Sequence, residues 1–253
     1  MSEESENKPL NNSEEDKISE QSVLYREWKE KCASKTSVVP VITNMVGKMK
    51  LKTSHKELDL PYISTHLRNA DYQPTRFNGC FVRFDKPKGT ILLFRTKVLL
   101  ITGCKTAEDA YSISRRTLRL LRRLGYPDIV PETQLQFVNI SAKVRLGFPI
   151  DLSEIASDKT ISKDMVYNPD INAALYWKMK KPKVTMVIYA SGAIIFVGAR
   201  SFIDILKCLH MTYVFFVKNS RDREHYSQRN VVNDKAILEE ENGRQESDPK
   251  KGQ

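Results

Sequence analysis

No apolar run in this 253-residue chain approaches the roughly 20 residues that a membrane helix needs. No membrane is expected as a partner. The opening residues MSEESENKPLNNSEED lack the basic-then-apolar order of a secretory signal. The four cysteines, Cys32, Cys80, Cys104 and Cys208, stand far apart and never form CxxC, so neither a zinc site nor a disulfide framework is signalled, and a reducing compartment fits. His55, His66, His210 and His225 are scattered, with no Ser/His/Asp or Cys/His grouping and no phosphate loop. Enzyme chemistry is excluded as a reading, and no metal or cofactor is expected.

What the chain has in excess is positive charge, and that charge is unevenly placed. Residues 38–218 carry 28 Lys and Arg against 14 Asp and Glu, whereas residues 1–37 and 219–253 are slightly acidic, with net charges of −3 and −1. Both ends are rich in Ser, Glu, Asn, Asp and Lys and poor in large apolar residues, so they bury too little surface to offset the entropy of ordering. They are expected to be disordered tails, an acidic one over 1–37 and a charged one over 219–253. Within the first, Val23-Leu24-Tyr25-Arg26-Glu27-Trp28 has the makings of a transient helical turn.

The middle repeats itself. Lys86-Pro87-Lys88 lies over Lys181-Pro182-Lys183 at an offset of 95, and the same ungapped offset pairs Asn44 with Asn139, Lys48 with Lys143, Leu51 with Leu146, Tyr72 with Tyr167, Pro74 with Pro169, Thr90 with Thr185 and Gly103 with Gly198. Two units follow, about 38–132 and 133–218. In each, the periodicities predict a strand, a short helix, several strands and a long helix. Residues 90–96 and 98–102 read as strands, as do 185–191 and 193–197. Thr106 with Asp109, and Ser201 with Asp204, have capping-box spacing at the start of the long helices, and Arg122, Arg123 and Gly125 close the first. Ala110, Ile113, Leu120, Leu121 and Leu124 are expected to form its buried stripe. The second long helix is apolar nearly all round, at Ile203, Ile205, Leu206, Leu209, Tyr213, Phe215 and Phe216, as suits either core burial or a partner face.

The strands are apolar on both faces, and that is informative. Alternation puts Ile91 and Leu93 on one side and Thr90, Leu92, Phe94 and Thr96 on the other, and two long helices cover only one side. Either loops or a second copy bury the remaining face, or it is a binding surface. It also carries Asn44, Asn139 and Thr102, ringed by Arg83, Lys88, Lys105, Lys178, Lys183 and Arg200. An apolar floor with a few polar groups and a cationic rim suits the minor groove of DNA, where base edges offer a degenerate pattern and phosphates supply affinity.

Specific motifs then point to one family. Asn44-Met-Val, Arg68-Asn-Ala-Asp-Tyr72-Gln-Pro-Thr-Arg76-Phe77, Val82-Arg-Phe-Asp-Lys-Pro-Lys-Gly-Thr90, Thr102-Gly-Cys-Lys105, Leu124-Gly-Tyr-Pro127 and Phe148-Pro-Ile-Asp-Leu152 resemble the TATA-binding protein core, in order, over residues 38–218. The resemblance implies an α+β fold: two tandem pseudo-symmetric repeats forming a saddle-shaped antiparallel sheet with four helices on the convex side. It further implies a nuclear transcription initiation factor that binds and bends A/T-rich promoter DNA through the minor groove, the mechanism for which this family is the standard example. Asn44 and Asn139 would sit at the centre, Val46, Leu92, Leu100, Val187 and Ile195 on the groove floor, and Arg76, Arg83, Lys88, Thr96, Lys105, Lys178, Lys183, Ser191 and Arg200 at phosphates. Phe77 and Phe94 would be wedges in the first repeat.

The second repeat departs from that pattern. Its wedge positions are Asn172 and Tyr189, and Val197 replaces Thr102. Such a chain resembles either a specialised TATA-binding-protein-related factor or the TATA-binding protein of a divergent lineage, or else a scaffold of that fold working mainly through protein contacts. The resemblance implies transcription factors IIA and IIB, or their paralogues, and TATA-binding-protein-associated factors as partners. Arg115, Arg116, Arg119, Arg122 and Arg123 give the first long helix a cationic face for regulators or flanking DNA. Tyr167-Asn168-Pro169-Asp170-Ile171 is similar to the segment that meets factor IIB, with Asn168 where an acidic residue is usual.

Overall fold

The computed structural model describes residues 38–158 and 162–221. The two tails and the Val23 to Trp28 segment lie outside the described residues. The chain runs through β1 (Val41–Lys52), α1 (Leu60–His66), β2 (Ala70–Asp71), β3 (Gly79–Phe84), β4 (Gly89–Phe94), β5 (Val98–Cys104) and α2 (Ala107–Arg123). It continues with β6 (Val130–Pro131), β7 (Gln136–Arg145), α3 (Leu152–Ser157), a 3-10 turn (Ser162–Asp164), β8 (Met165–Val166), β9 (Ala174–Lys178), β10 (Thr185–Tyr189), β11 (Ala193–Ala199) and α4 (Phe202–Lys218).

All strands join one antiparallel sheet in the order β2-β3-β4-β5-β1-β7-β11-β10-β9-β8, with β6 paired to β1. That order is a palindrome under the 95-residue offset: β2, β3, β4, β5 and β1 map onto β8, β9, β10, β11 and β7. Register agrees. Across the central pair, Asn44 faces Ser141 and Val46 faces Asn139, and each pairing is the image of the other. The long helices also map onto each other residue for residue, while α3 begins three positions earlier than the image of α1. The result is a pseudo-two-fold axis between β1 and β7.

The core lies on one face of the sheet. Ile91, Leu93, Leu99 and Ile101 of the first repeat and Met186, Ile188, Ile194 and Phe196 of the second are fully buried there, against helix residues such as Ile113, Leu121, Ile205 and Phe216. Two clusters form, one centred on each repeat; Val38 and Met45 reach into the second, Leu135 reaches into the first, and half-buried Phe137 packs against both. Leu58, Leu60 and Ile63 close the first cluster, and Leu152 and Ile155 close the second.

Local structure corrects several details of the sequence reading. Strand β4 stops at Phe94, and residues 95–97 make the turn, with Lys97 in the left-handed region at φ 64°. Its image strand stops at Tyr189 and turns through Gly192 at φ 77°. Thr96 and Ser191 therefore stand in hairpin turns and not on the sheet face. In α2 the buried stripe is Ala110, Ile113, Ser114, Thr117, Leu118 and Leu121, with Leu120 and Leu124 only partly buried. Small polar residues enter it because the Thr117 hydroxyl donates to Ile113 O at 2.9 Å, and that of Ser114 to Tyr111 O at 2.8 Å. Of the two long helices, α4 alone forms the reciprocal capping box: Ser201 Oγ accepts from Asp204 N and Asp204 Oδ2 accepts from Ser201 N, at 3.2 and 3.1 Å. At α2, Thr106 Oγ1 accepts from Asp109 N, and the return bond is missing. In α4 the apolar surface is mainly core: Ile205, Leu206, Leu209 and Phe216 are buried, and Ile203, Tyr213 and Phe215 are half-buried.

Candidate nucleic-acid interface

The face opposite the helices has no secondary structure over it among the described residues. Its centre is set by two asparagines whose orientation the chain dictates. Asn44 Oδ1 accepts from Gly103 N at 2.8 Å and lies 3.4 Å from the Thr102 hydroxyl, and Asn139 Oδ1 accepts from Gly198 N at 2.9 Å. A backbone N–H is a donor only, so the carbonyl oxygen must face it and each Nδ2 is left as the donor end, that of Asn44 lying 3.4 Å from the Thr102 hydroxyl oxygen. Gly103 and Gly198 make this possible with φ of +84° and +90°, where a side chain would be strained, next to breaks in the β1–β5 and β7–β11 registers. The strand N–H leaves the ladder and meets the asparagine instead.

Around this centre lies the predicted floor. Leu92 pairs across strands with Leu100, and Val187 with Ile195, again as 95-residue images, and with Val46 all five are half-buried. Thr102 faces Thr90, and Val197 faces Thr185. Further cations, absent from the sequence prediction, share this face. Alternation along β1 and β7 buries Met45, Gly47 and Met49, and Ile140, Ala142 and Val144, which leaves Lys48 and Lys143 on the open side. Lys48 is opposite Leu100 and Lys143 opposite Ile195, so each puts a cation beside a floor residue. The signal was available: both are lysine, at the repeat offset, four residues past an asparagine.

The cationic positions are all exposed. Arg83 and Lys178 lie on the open side of β3 and β9, Lys88 and Lys183 in the following hairpin turns, Lys105 and Arg200 beyond β5 and β11, and Arg76 in the loop before β3. Among the described residues none of these seven is ion-paired; the pairs formed are Arg95–Glu57, Lys180–Asp164 and Arg221–Asp151. Arg83 is centred 6.0 Å over the Phe81 ring.

The arginine face of α2 is smaller than its sequence suggests. Arg116 donates to Lys86 O and lies 5.3 Å over the Phe84 ring, and Arg122 donates twice to Ile129 O, at 3.2 and 3.1 Å. These two staple the helix to its own repeat, which leaves Arg115, Arg119 and Arg123 as its outward cations. In the second repeat, Asn168 O accepts from Ile171 N and Asn172 N, and Asn168 Oδ1 accepts from Asp170 N at 3.2 Å. This turn presents Ile171 at 83% exposure with Asp170 beside it. Burial raises the thiols of Cys80, up to about 11, and of Cys208, up to about 12, so both stay protonated at neutral pH.

A family model described as "Transcription factor TFIID (or TATA-binding protein, TBP)" matches residues 39–124 and 134–213, one stretch in each repeat. The chain belongs to the TATA-binding protein family. This is a family of non-enzymatic transcription factors, and its fold is the saddle-shaped α+β sheet. The chain is 37% identical over 153 residues to a TBP-related factor of Drosophila melanogaster, which covers 60% of this chain and 66% of the relative. It is 33% identical over 186 residues to the TATA-box-binding protein of Saccharomyces cerevisiae, covering 73% and 74%. It is 32% identical over 178 residues to that of Emericella nidulans, of whose length it covers 64%. Among solved structures, Methanococcus jannaschii TBP superposes with a TM-score of 0.57 at 27% identity, over 68% of this chain and 94% of that one.

Proposed function

We propose that this chain is a nuclear initiation factor that binds A/T-rich promoter DNA in the minor groove with its open face, bends it, and nucleates assembly of the transcription machinery. The observation that carries the reading is the asparagine pair. Two amide donors, each held by a backbone N–H and related by the pseudo-two-fold axis, stand in an apolar floor. A·T and T·A pairs both offer only acceptors in the minor groove, so two donors and no sequence code match that edge. The exposed cations supply phosphate contacts: Arg76, Arg83, Lys88, Lys105, Lys178, Lys183 and Arg200, with the turn hydroxyls of Thr96 and Ser191. Phe77 and Phe94 supply wedges at the first hairpin end.

The remaining surfaces suit the partners of such a factor. Arg115, Arg119 and Arg123 suit an acidic regulator or flanking DNA, and the Asn168 to Ile171 turn suits factor IIB or a paralogue. Factor IIA and TATA-binding-protein-associated factors belong to the same reading. A second reading, a scaffold acting mainly through protein contacts, is favoured by Asn172, which is folded onto its own chain where a wedge would stand. Anisotropy of a labelled A/T-rich duplex separates the two. Asn44→Ala and Asn139→Ala should each weaken binding about threefold to tenfold, the net worth of one hydrogen bond. Wild-type affinity no greater for the A/T-rich duplex than for a G/C-rich one would favour the scaffold.

A further inference from the structure

The two hairpin ends of the saddle occupy equivalent positions and are built from different chemistry. At the first, the Phe77 ring packs against Phe81 and Phe94 with centroids 5.1 and 5.8 Å apart. Gly79 permits this cluster, since a Cβ there would lie 2.6 Å from the Phe77 ring. At the second end the image of Gly79 is Ala174, whose methyl takes up that space, and the images of the three rings are Asn172, Tyr176 and Tyr189. Asn172, though exposed, is tied to its own chain. Its Oδ1 accepts from Ala174 N at 3.0 Å, and its Nδ2 donates to the Tyr176 hydroxyl at 2.9 Å. The Tyr176 oxygen keeps a second lone pair, and Tyr189, 37% exposed, carries its hydroxyl on the open side of β10.

We propose that the second end reads its end of the DNA site by hydrogen bonding instead of wedging, with a tyrosine hydroxyl oxygen, that of Tyr189 or of its neighbour Tyr176, accepting the one N–H of a guanine N2 amino group that base pairing leaves free. The proposal rests on the minor-groove reading above. The N2 amino group is the one donor that distinguishes G·C from A·T in the minor groove. Buried against Phe77 and Phe94 it would be left without an acceptor and be penalised, whereas at the tyrosine end it is paired. The chain therefore takes an A·T core with G·C accepted at one end only. The orientation follows as well: the phenylalanine end lies at the soft pyrimidine–purine step that is easily unstacked.

Three duplexes sharing one A·T core test this by anisotropy at fixed salt: all A·T, G·C in the last step at one end, and G·C at both ends. Wild type should lose less than about threefold with one G·C end and on the order of tenfold or more with both, the usual cost of one mismatch. Tyr189→Phe, alone and with Tyr176→Phe, should raise the ratio of all-A·T to one-end affinity to about tenfold. Phe94→Tyr should shrink the two-end penalty. A tenfold loss for wild type with a single G·C end, or an unchanged ratio in the tyrosine variants, overturns the proposal while leaving minor-groove binding intact. Absence of affinity for all three duplexes overturns the minor-groove reading and this proposal with it.

Discussion

At the scale of single residues, polar side chains set backbone geometry as much as the reverse. Asn44 and Asn139 draw a strand N–H out of the ladder, and the glycine that supplies it is the only residue type at ease there. Asp128 does similar work on the helix side. Its carboxylate accepts from the Thr53 hydroxyl at 2.7 Å and from Ser54 N, which ties the segment after β1 to the loop after α2. The Thr53 bond, then the Ser54 bonds, hold its pKa down at about 2. A folded pKa below the ordinary carboxylate value means that the contribution to stability is complete above about pH 4 and is lost as pH falls toward 2. Asp128→Asn should lower stability near neutral pH and flatten the fall between about pH 4 and 2, as read by denaturant midpoints across that range. An unchanged acid limb would show that the clamp is without thermodynamic effect.

Between elements the repeat symmetry is broken where chemistry differs, and the sequence showed some of these breaks and hid others. Phe77 and Phe94 against Asn172 and Tyr189 is visible by sliding the chain on itself. That Gly79 against Ala174 decides whether a ring fits is not visible, because it depends on which atoms meet across β3 and β4. The α2 stripe is wider than its apolar positions suggest for a related reason: Ser114 and Thr117 look polar in the sequence, and only their bonds to α2's own carbonyls make them buriable. The hairpin ends give a direct expectation for bending. A wedge unstacks a base step at a cost of a few kcal/mol, offset by the surface that bent DNA wraps. Phe94→Ala should therefore abolish most of the bend, and Tyr189→Ala should change it little, measured by fluorescence transfer between dyes at the ends of a short duplex. Equal loss of bend in the two variants would mean that the second end inserts as well.

For the whole molecule the governing quantity is the charge of the middle of the chain, +14 over residues 38–218, set against slightly acidic ends. Each phosphate neutralised releases condensed counterions, so affinity should fall steeply with salt, and each lost contact should reduce the logarithmic slope by about one. Arg83→Ala combined with Lys178→Ala should flatten that slope by about two while leaving base preference nearly unchanged. Lys48 and Lys143, on the floor itself, extend the same field inward. A slope unaffected by the double change would place the phosphates elsewhere. The sequence by itself determined the repeat, the strand and helix order, the two-faced sheet and the identity of the central asparagines, because each is a matter of period or of residue type at a fixed offset. Only the tertiary structure decided which way the asparagine amides point, which arginines are spent inside the chain, and that Asn172 folds back. Those outcomes depend on which backbone groups of distant strands come within hydrogen-bonding distance, and no local pattern encodes that.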